Sequence, residues 1–460
     1  MAQDDEYTHS PCYCCCLTCF YCPCLCKEAL CVPVGPPTKE YMEPETDKSR
    51  KQTGATGTDV FINATDEKLL FTGRSRVVDT TREFDWPCSS FRFVVTGPAK
   101  EVWVEMGCRI GAHNNELAQC KNNAYPGAGA LMKSYVDGKP IRRVVVYEGA
   151  AQYLMAENLE SGEHVIHVSK CSEFCFGMVL VKGVVVPENC SVKAASPKKV
   201  IEVIGDSNSC QPGGVGPFSY DEGAMNKYMM SYTDTDLSWS SNVCAAFDID
   251  QHLIACSGIG FMANAMKIPH GPMLDVYTRV CENETEVLKA LPPVDLSIIF
   301  LGANDWVAGG MAGKDQQAIE GYKKLIDLVR SLRPSTPILC LYPNHCSLGA
   351  GPHLESWSRM MQKGFHVNMA KWVKGAAKLA GGDSAKVYAR MVVPTPQISG
   401  GGDEDFGLMA HHNIEGGKKF ASGVIPLVAE VTGWTPVGTK TQGPQVTPPV
   451  TQSTTVPGTA

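Results

Sequence analysis

The chain has 460 residues, enough for two or three domains, and its 44% hydrophobic and 19% charged residues are typical of a folded protein. The formal net charge of −7 argues against a nucleic-acid-binding protein, which usually carries a basic patch. The body of the chain has no apolar run of about 18 residues, so no membrane-spanning helix is predicted there.

Residues 1–57 form a cysteine-rich segment followed by a linker rich in Pro, Gly, Thr and Lys. Three interpretations of the cysteines compete: S-acylation at a membrane surface, metal binding by thiolates, or a disordered or disulfide-linked tail without specific function. The acidic run Asp4–Glu6 stands where a signal peptide would be basic, so no clear signal peptide is predicted. The localisation stays open between membrane-associated and extracellular.

Residues 58–195 are predicted to form an all-β domain, a sandwich or jelly roll, because short runs of Val, Phe and Tyr alternate with turn residues. The predicted strands include Phe91–Val95, Val102–Val104, Arg143–Tyr147 and Val179–Val186. The predicted turns are Gly97-Pro98, Asp137-Gly138 and Ser161-Gly162.

Residues 198–434 are predicted to form a parallel sheet with helices on both faces, because buried-type strands alternate with helical patterns. The strands are Val200–Ile204, Leu296–Leu301, Ile338–Tyr342 and Val387–Val393, and one clear helix is Gln316–Arg333. Sheets of this class place their sites at the carboxyl ends of the strands. Residues 435–460, rich in Pro and Thr, are predicted to be a disordered tail.

Unusual residues follow the predicted strands. The first strand runs into Gly205–Ser209, where Ser207 on a tight turn would expose its hydroxyl; a helix N-cap is the simpler interpretation. In Ile254–Gly260, glycines allow a backbone N–H to approach a ligand closely, although the segment is also typical of a plain turn. In Gly302–Asp305, Asn304 is either a donor to a developing oxyanion or a loop-capping amide.

A histidine pair precedes the last predicted helix. The segment His411–Gly416 leads into the apolar run Phe420–Val431, and a histidine there can reach the end of the first strand. An imidazole with a pKa near 6.5 can take a serine proton at neutral pH.

These four elements, in this order, resemble the blocks of the SGNH (GDSL-like) hydrolase superfamily. Gly205–Ser207 matches the first block, Gly258 the second and Gly302–Asp305 the Gly-x-Asn-Asp third block, while His411–Gly416 resembles the last. The sequence is also similar to carbohydrate esterase family 2, whose members place a jelly-roll domain before the SGNH domain. The upstream features are Gly73-Arg74, Phe91–Phe93, Val136–Gly138, Leu159–Val165 and Lys170.

The resemblance covers roughly residues 60–434 and implies a fold and an activity. The fold would be a flavodoxin-like parallel sheet flanked by helices, preceded by a jelly-roll domain. The activity would be a serine esterase that removes O-acetyl groups from oligo- or polysaccharides, without metal or organic cofactor.

The resemblance also implies residue roles. Ser207 would be the nucleophile and His411 the general base. The backbone N–H groups of Ser207 and Gly258, with the Asn304 side chain, would form the oxyanion hole. Gly260 and His412 are the alternates to Gly258 and His411.

One departure concerns the residue that orients the histidine. The superfamily usually has Asp three residues before it, and family 2 often two before, where this chain has Leu408 and Met409. A Ser–His dyad is one solution, and Asp403 or Asp405 swinging in is another. The missing Asp leaves a catalytically silent glycan-binding protein open. An esterase or lipase acting on a non-carbohydrate ester is the third candidate.

Overall fold

The computed structural model describes residues 41–46, 50–52, 59–110, 125–219, 222–265, 271–281, 285–288, 290–307, 310–344, 364–398, 402–408 and 411–437. The N-terminal cysteine tract and residues 438–460 of the predicted tail lie outside this set, so the interpretations given to them are not tested. None of the helices in these ranges is long and apolar enough to cross a membrane.

The first part of the chain forms an antiparallel sheet, which is referred to below as the β unit. Its strands are β1 Arg50–Gln52, β2 Val60–Asn63, β3 Leu70–Thr72, β4 Arg76–Val78, β5 Thr81–Phe84, β6 Ser90–Arg109, β7 Ala128–Val136, β8 Lys139–Tyr147, β9 Ala151–Lys170, β10 Met178–Val186 and β11 Ser191–Ala194. The main order is β4-β5-β10-β6-β9-β7-β8; β1 pairs with β9, β2 with β10, and β3 and β11 pair with β6.

Two predicted turns are wrong. Gly97-Pro98 lies inside β6 and Ser161-Gly162 inside β9, and Gly97 faces Gly162 across the paired strands. The register shifts directly after Gly97, which is a bulge, and bulges accommodate residues that weaken a regular ladder. The third predicted turn is confirmed, because Asp137 and Gly138 join β7 to β8 with φ values of 51° and 78°.

The second part of the chain forms a parallel sheet, as predicted. Its strands are β12 Val200–Asp206, β13 Asp250–Cys256, β14 Leu296–Phe300, β15 Ile338–Pro343 and β16 Val387–Val392. The order is β13-β12-β14-β15-β16. The first strand of this sheet therefore lies between the second and the third, and a crevice forms where the strand order reverses in this way.

Helices cover both faces of this sheet, which confirms the prediction. They are α1 Ser207–Cys210, α2 Glu222–Tyr232, α3 Trp239–Phe247, α4 Met273–Val276, α5 Ala303–Val307, α6 Asp315–Leu332, α7 Phe365–Leu379, α8 Gly402–Asp405 and α9 Ile414–Thr432. Because side chains alternate along a strand, Ile204 packs with residues of α6 and α7, whereas Val203 packs with residues of α3 and α9.

Buried ion pairs join the two sheets. Glu202, in the middle of β12, accepts hydrogen bonds from Arg74 of the β unit (3.2 Å) and from Arg333 after α6 (2.8 and 3.0 Å). Asp250 at the start of β13 accepts one from Arg92 of β6 at 2.6 Å. Arg74 and Arg92 are among the upstream features on which the resemblance rests, and their role here is to attach the β unit to the parallel sheet.

Candidate active site

Ser207 is the first residue of α1, directly after β12. The N-cap of this helix is Asp206, whose carboxylate accepts the N–H of Asn208 at 2.9 Å, so the interpretation of Ser207 as the N-cap is wrong. Ser207 is 8% exposed, and its hydroxyl makes no hydrogen bond with any residue that the structure describes. The Ser207 hydroxyl thus lies at a strand end, where the resemblance predicts the nucleophile.

The second block follows β13. Gly258 has a φ of 84°, a conformation that favours glycine, and its N–H has no partner within the described part of the chain. The N–H of Gly260 is instead occupied, since it donates to Oδ1 of Asn264 at 3.0 Å. Of the two predicted candidates, Gly258 has the N–H that is available to an oxyanion.

The third block contacts the first two through Asn304, which lies in α5 and is 9% exposed. Its Nδ2 donates to the carbonyl of Ile259 at 2.8 Å and to Oδ2 of Asp206 at 3.3 Å. The neighbouring Asp305 accepts the N–H groups of three consecutive residues, Phe261, Met262 and Ala263, at 2.8, 2.8 and 2.9 Å. Burial raises the pKa of Asp305 to about 6.

The sheet register explains why these blocks meet. Gly205 in β12 pairs with Ala255 of β13 on one side and with Phe300 of β14 on the other. The residues that follow these three positions leave the same edge of the sheet side by side. The Ser207 hydroxyl, the N–H of Gly258, which has no partner among the described residues, and the Asn304 amide therefore all lie near the switch point.

The loop with the histidines docks against α1. Gln211, the residue after α1, donates from Nε2 to the main-chain carbonyls of His412 (3.0 Å) and Asn413 (3.3 Å). The His412 ring is 3% exposed and lies between Phe406 and Phe420, with ring centroids 5.5 and 5.6 Å away. This ring belongs to the core, which leaves His411 as the histidine with the more accessible side chain.

His411 is half-buried, and the structure contains no hydrogen bond between its imidazole and Ser207. Its Nδ1 has no partner among the residues placed by the structure. Burial, with a contribution from His412, lowers the pKa of His411 to about 3. The imidazole is therefore neutral at neutral pH, which is the protonation state of a general base.

Of the two acidic alternates, only Asp405 has a side chain that the structure describes. Asp405 is buried and forms an ion pair with Lys419 of α9 at 2.8 Å. The side chain of Asp403 and all of Met409 lie outside the described residues, and Leu408 is a buried apolar side chain next to Gly213. Within the described ranges, no group of three or more His, Cys, Asp or Glu residues is arranged to hold a metal ion.

One residue at the site was missed by the sequence analysis. Glu173, between β9 and β10, is buried and accepts two hydrogen bonds from Ser257, which precedes Gly258. The only feature of the sequence that could have indicated Glu173 is that it is the single carboxylate in the Cys- and Phe-rich run Cys171–Met178. A buried charge in such a run needs a partner, but the sequence does not say which.

Part of the β unit is similar to a known protein family. Residues 71–195 match the family model described as carbohydrate esterase 2 N-terminal. No curated protein matches the chain by sequence.

Several solved structures share the fold. A family two carbohydrate esterase from Cellvibrio japonicus is 17% identical with a TM-score of 0.63, over 82% of this chain and 98% of that one. A family two carbohydrate esterase from Clostridium thermocellum, in complex with cellohexaose, is 19% identical with a TM-score of 0.60, over 80% and 99%. An acetyl xylan esterase from the rumen bacterium Butyrivibrio proteoclasticus is 15% identical with a TM-score of 0.62, over 82% and 98%.

The predicted resemblance is thereby confirmed. Residues 71–195 of the β unit are similar to the N-terminal domain of carbohydrate esterase family 2, and 80–82% of the chain shares its fold with solved esterases of that family. The large antiparallel sheet and the parallel sheet with helices are observed, whereas the jelly-roll topology of the β unit stays a prediction.

Proposed function

We propose that this protein is a serine esterase that removes O-acetyl groups from carbohydrates. The observation that carries the proposal is the meeting of Ser207, the free N–H of Gly258 and the Asn304 amide at the switch point of the sheet. A nucleophile beside backbone and side-chain donors is what acyl transfer requires. Solved relatives named as an acetyl xylan esterase and as a cellohexaose complex support a carbohydrate as the substrate.

The proposed reaction passes through an acyl-serine. Oγ of Ser207 attacks the carbonyl carbon of the acetyl ester while the imidazole of His411 takes the hydroxyl proton. The oxyanion that forms accepts hydrogen bonds from the N–H groups of Ser207 and Gly258 and from Nδ2 of Asn304. The intermediate collapses, and His411 returns the proton to the departing sugar oxygen. Water then attacks the acetyl-serine while His411 accepts a proton from it, and His411 returns this proton to Oγ of Ser207 as the acyl–oxygen bond breaks. Acetic acid leaves and ionises to acetate.

The base acts as one member of a Ser–His dyad in this proposal. Among the described residues, Nδ1 of His411 has no partner and Asp405 pairs with Lys419, which supports a dyad over a triad. Because catalytic hydrogen bonds are often long without substrate, the contact between Ser207 and His411 is expected to form when the ester binds.

The domain organisation belongs to the same proposal. We assign residues 58–195 to a jelly-roll domain and residues 198–434 to the hydrolase domain, with the boundary between β11 and β12. We assign the cysteine-rich residues 1–57 to membrane-surface attachment by S-acylation.

The test compares wild type with Ser207→Ala on p-nitrophenyl acetate and on acetylated xylan. Ser209→Ala is the matched control, since Ser209 lies in the same short helix and is also buried. Wild type and the control are expected to release acetate, and Ser207→Ala is expected to release none. Folding of each variant is checked by its thermal melt.

Two other outcomes separate the competing functions. Hydrolysis of p-nitrophenyl esters without release of acetate from xylan would favour a non-carbohydrate ester as the substrate. If wild type is inactive on a broad ester panel but binds cello-oligosaccharides, the protein is a glycan-binding protein and the esterase proposal is wrong.

A further inference from the structure

The β unit contributes a carboxylate to the second block. Oε1 of Glu173 accepts the hydroxyl of Ser257 at 2.8 Å, and Oε2 accepts the N–H of Ser257 at 2.9 Å. Glu173 is separated by 84 residues from Ser257 and belongs to the other sheet region. The residue next to Ser257 is Gly258, the proposed oxyanion donor, so a group of the β unit lies one residue from the reaction centre.

Glu173 is itself held in place by a buried lysine. Nζ of Lys170 donates to the carbonyls of Ser172 (2.8 Å) and Glu173 (2.6 Å), and Oγ of Ser172 accepts the N–H of Leu131 in β7 at 3.0 Å. The short segment that carries Glu173 is thus fixed to the β unit by three hydrogen bonds. Burying a carboxylate is costly unless it is hydrogen-bonded, and burial raises the pKa of Glu173.

A second carboxylate holds the far end of the same loop. Asp305 accepts the N–H groups of Phe261, Met262 and Ala263, and Asn304 donates to the carbonyl of Ile259. Gly258 therefore lies between two buried carboxylates, one from each sheet region. Glycine is the most flexible residue, so the direction of its N–H depends on how its neighbours are fixed.

We propose that Glu173 is a positioning residue of the esterase site: by fixing Ser257 it directs the N–H of Gly258 towards the oxyanion. The inference rests on the proposed function. It makes the β unit part of the active site, since an oxyanion hole is effective only when its donors are held in advance of the reaction.

The test uses Glu173→Ala and Glu173→Gln in the full chain. Glu173→Ala removes both acceptors, and a displacement of about 1 Å at the site is expected to lower kcat about 10²-fold with little change in KM. Glu173→Gln is expected to restore most of the activity, because its amide oxygen accepts the N–H of Ser257 while its amide N–H donates to the Ser257 hydroxyl.

Asp250→Ala is the matched control. Asp250 also joins the two sheet regions through a polar contact, but it starts β13, whereas Ser257 follows the end of that strand. Seven residues of strand separate the two positions by about 20 Å. The control is expected to lower the melting temperature and to leave kcat unchanged.

A second readout does not depend on turnover. Hydrogen exchange of the amides of residues 257–263 is expected to rise in Glu173→Ala and to stay as in wild type in the Asp250→Ala control. If kcat and exchange of this segment are both unchanged in Glu173→Ala, the inference is overturned while the esterase proposal stands. If wild type is inactive, the proposed function is overturned, and the oxyanion role of Glu173 with it.

Discussion

Nδ2 of Asn304 lies 3.3 Å from Oδ2 of Asp206 and 2.8 Å from the carbonyl oxygen of Ile259. Both amide hydrogens of Asn304 are thus engaged in the free protein, one of them in a long bond. An oxyanion on the substrate would replace that long bond with a shorter, charge-assisted one. Under the proposed mechanism, this exchange would give Asn304 more favourable contacts in the transition state than in the resting site, which is the condition for catalysis.

Asn304→Ala is accordingly expected to lower kcat by about 10²–10³-fold, the typical cost of losing one oxyanion donor, with KM little changed. Steady-state kinetics on p-nitrophenyl acetate measures both constants. Asn242→Ala is the control, because the Asn242 amide donates only to the carbonyls of Leu237 and Ser238. Equal loss of kcat in both variants would mean that Asn304 is no more than a loop-capping amide.

The second prediction concerns the stability contributed by Asp206. Burial raises its pKa from 3.8 to about 7, so the folded protein binds a proton that the unfolded chain releases at lower pH. The contribution of Asp206 is fully present below about pH 4 and is lost as the pH rises through 7, with a slope of up to about 1.4 kcal/mol per pH unit.

Asp206→Asn removes this titration. The free energy of unfolding, measured by urea denaturation between pH 4 and 8, is expected to depend less on pH in the variant than in wild type. If the free energy of unfolding depends on pH in the same way in both proteins, Asp206 does not titrate between pH 4 and 8.

The strand-end residues were predictable from sequence because each of the first three blocks follows a strand, and parallel strands bring their carboxyl ends to one edge. The prediction of Ser207, Gly258 and Asn304 at one place needed only the order of the blocks.

The lengths of the strands in the β unit were less predictable, since Gly97-Pro98 and Ser161-Gly162 are typical of turns when each is considered alone. Each pair is accommodated because it faces the other across a bulge, which is a long-range property.

Glu173 could not be assigned for a related reason. Its partner Ser257 lies in another part of the chain, and no local pattern specifies that pairing. The sequence analysis preferred His411 to His412 through the resemblance, and the packing of His412 between two phenylalanines is a further difference that only the fold shows.

A third prediction separates those histidines. His411→Ala is expected to lower kcat by about 10²–10⁴-fold, the usual contribution of a general base. His412→Phe keeps an aromatic ring in the cluster with Phe406 and Phe420 and is expected to retain activity. Steady-state kinetics measures kcat of both variants, and thermal melts confirm that both are folded. Loss of activity in His412→Phe alone would transfer the role of base to His412.

The fourth prediction concerns the acid limb of the rate profile. Because burial and His412 lower the pKa of His411 to about 3, the base stays deprotonated well below its ordinary pKa. The plot of kcat/KM against pH is expected to stay level from pH 7 to pH 5. Because Asp206 next to Asn304 has a pKa of about 7, the profile is also measured in Asp206→Asn. A fall centred near pH 6.5 that persists in this variant would show that His411 is protonated in the ordinary range, as expected for a solvated imidazole.

The last prediction concerns the junction between the two sheets. Burial alone would raise the pKa of Glu202, but Arg74 and Arg333 outweigh it and lower the pKa to about 2. Glu202→Ala leaves both guanidinium groups buried without this carboxylate and is expected to cost roughly 3–5 kcal/mol of unfolding free energy. Since the pKa of Glu202 is lower in the folded protein than in the unfolded chain, its contribution to the free energy of unfolding is present above about pH 4.5. This contribution is lost as the pH falls towards 2.

The control for Glu202→Ala is a glutamate in an exposed ion pair. Glu163 lies 2.5 Å from Lys193 with 58% of its side chain exposed, and Glu163→Ala is expected to cost less than about 1 kcal/mol. Urea denaturation at pH 7 measures both variants. Similar losses in the two would mean that Arg74 and Arg333 find other partners when Glu202 is removed, and that the β unit is attached mainly by its apolar contacts.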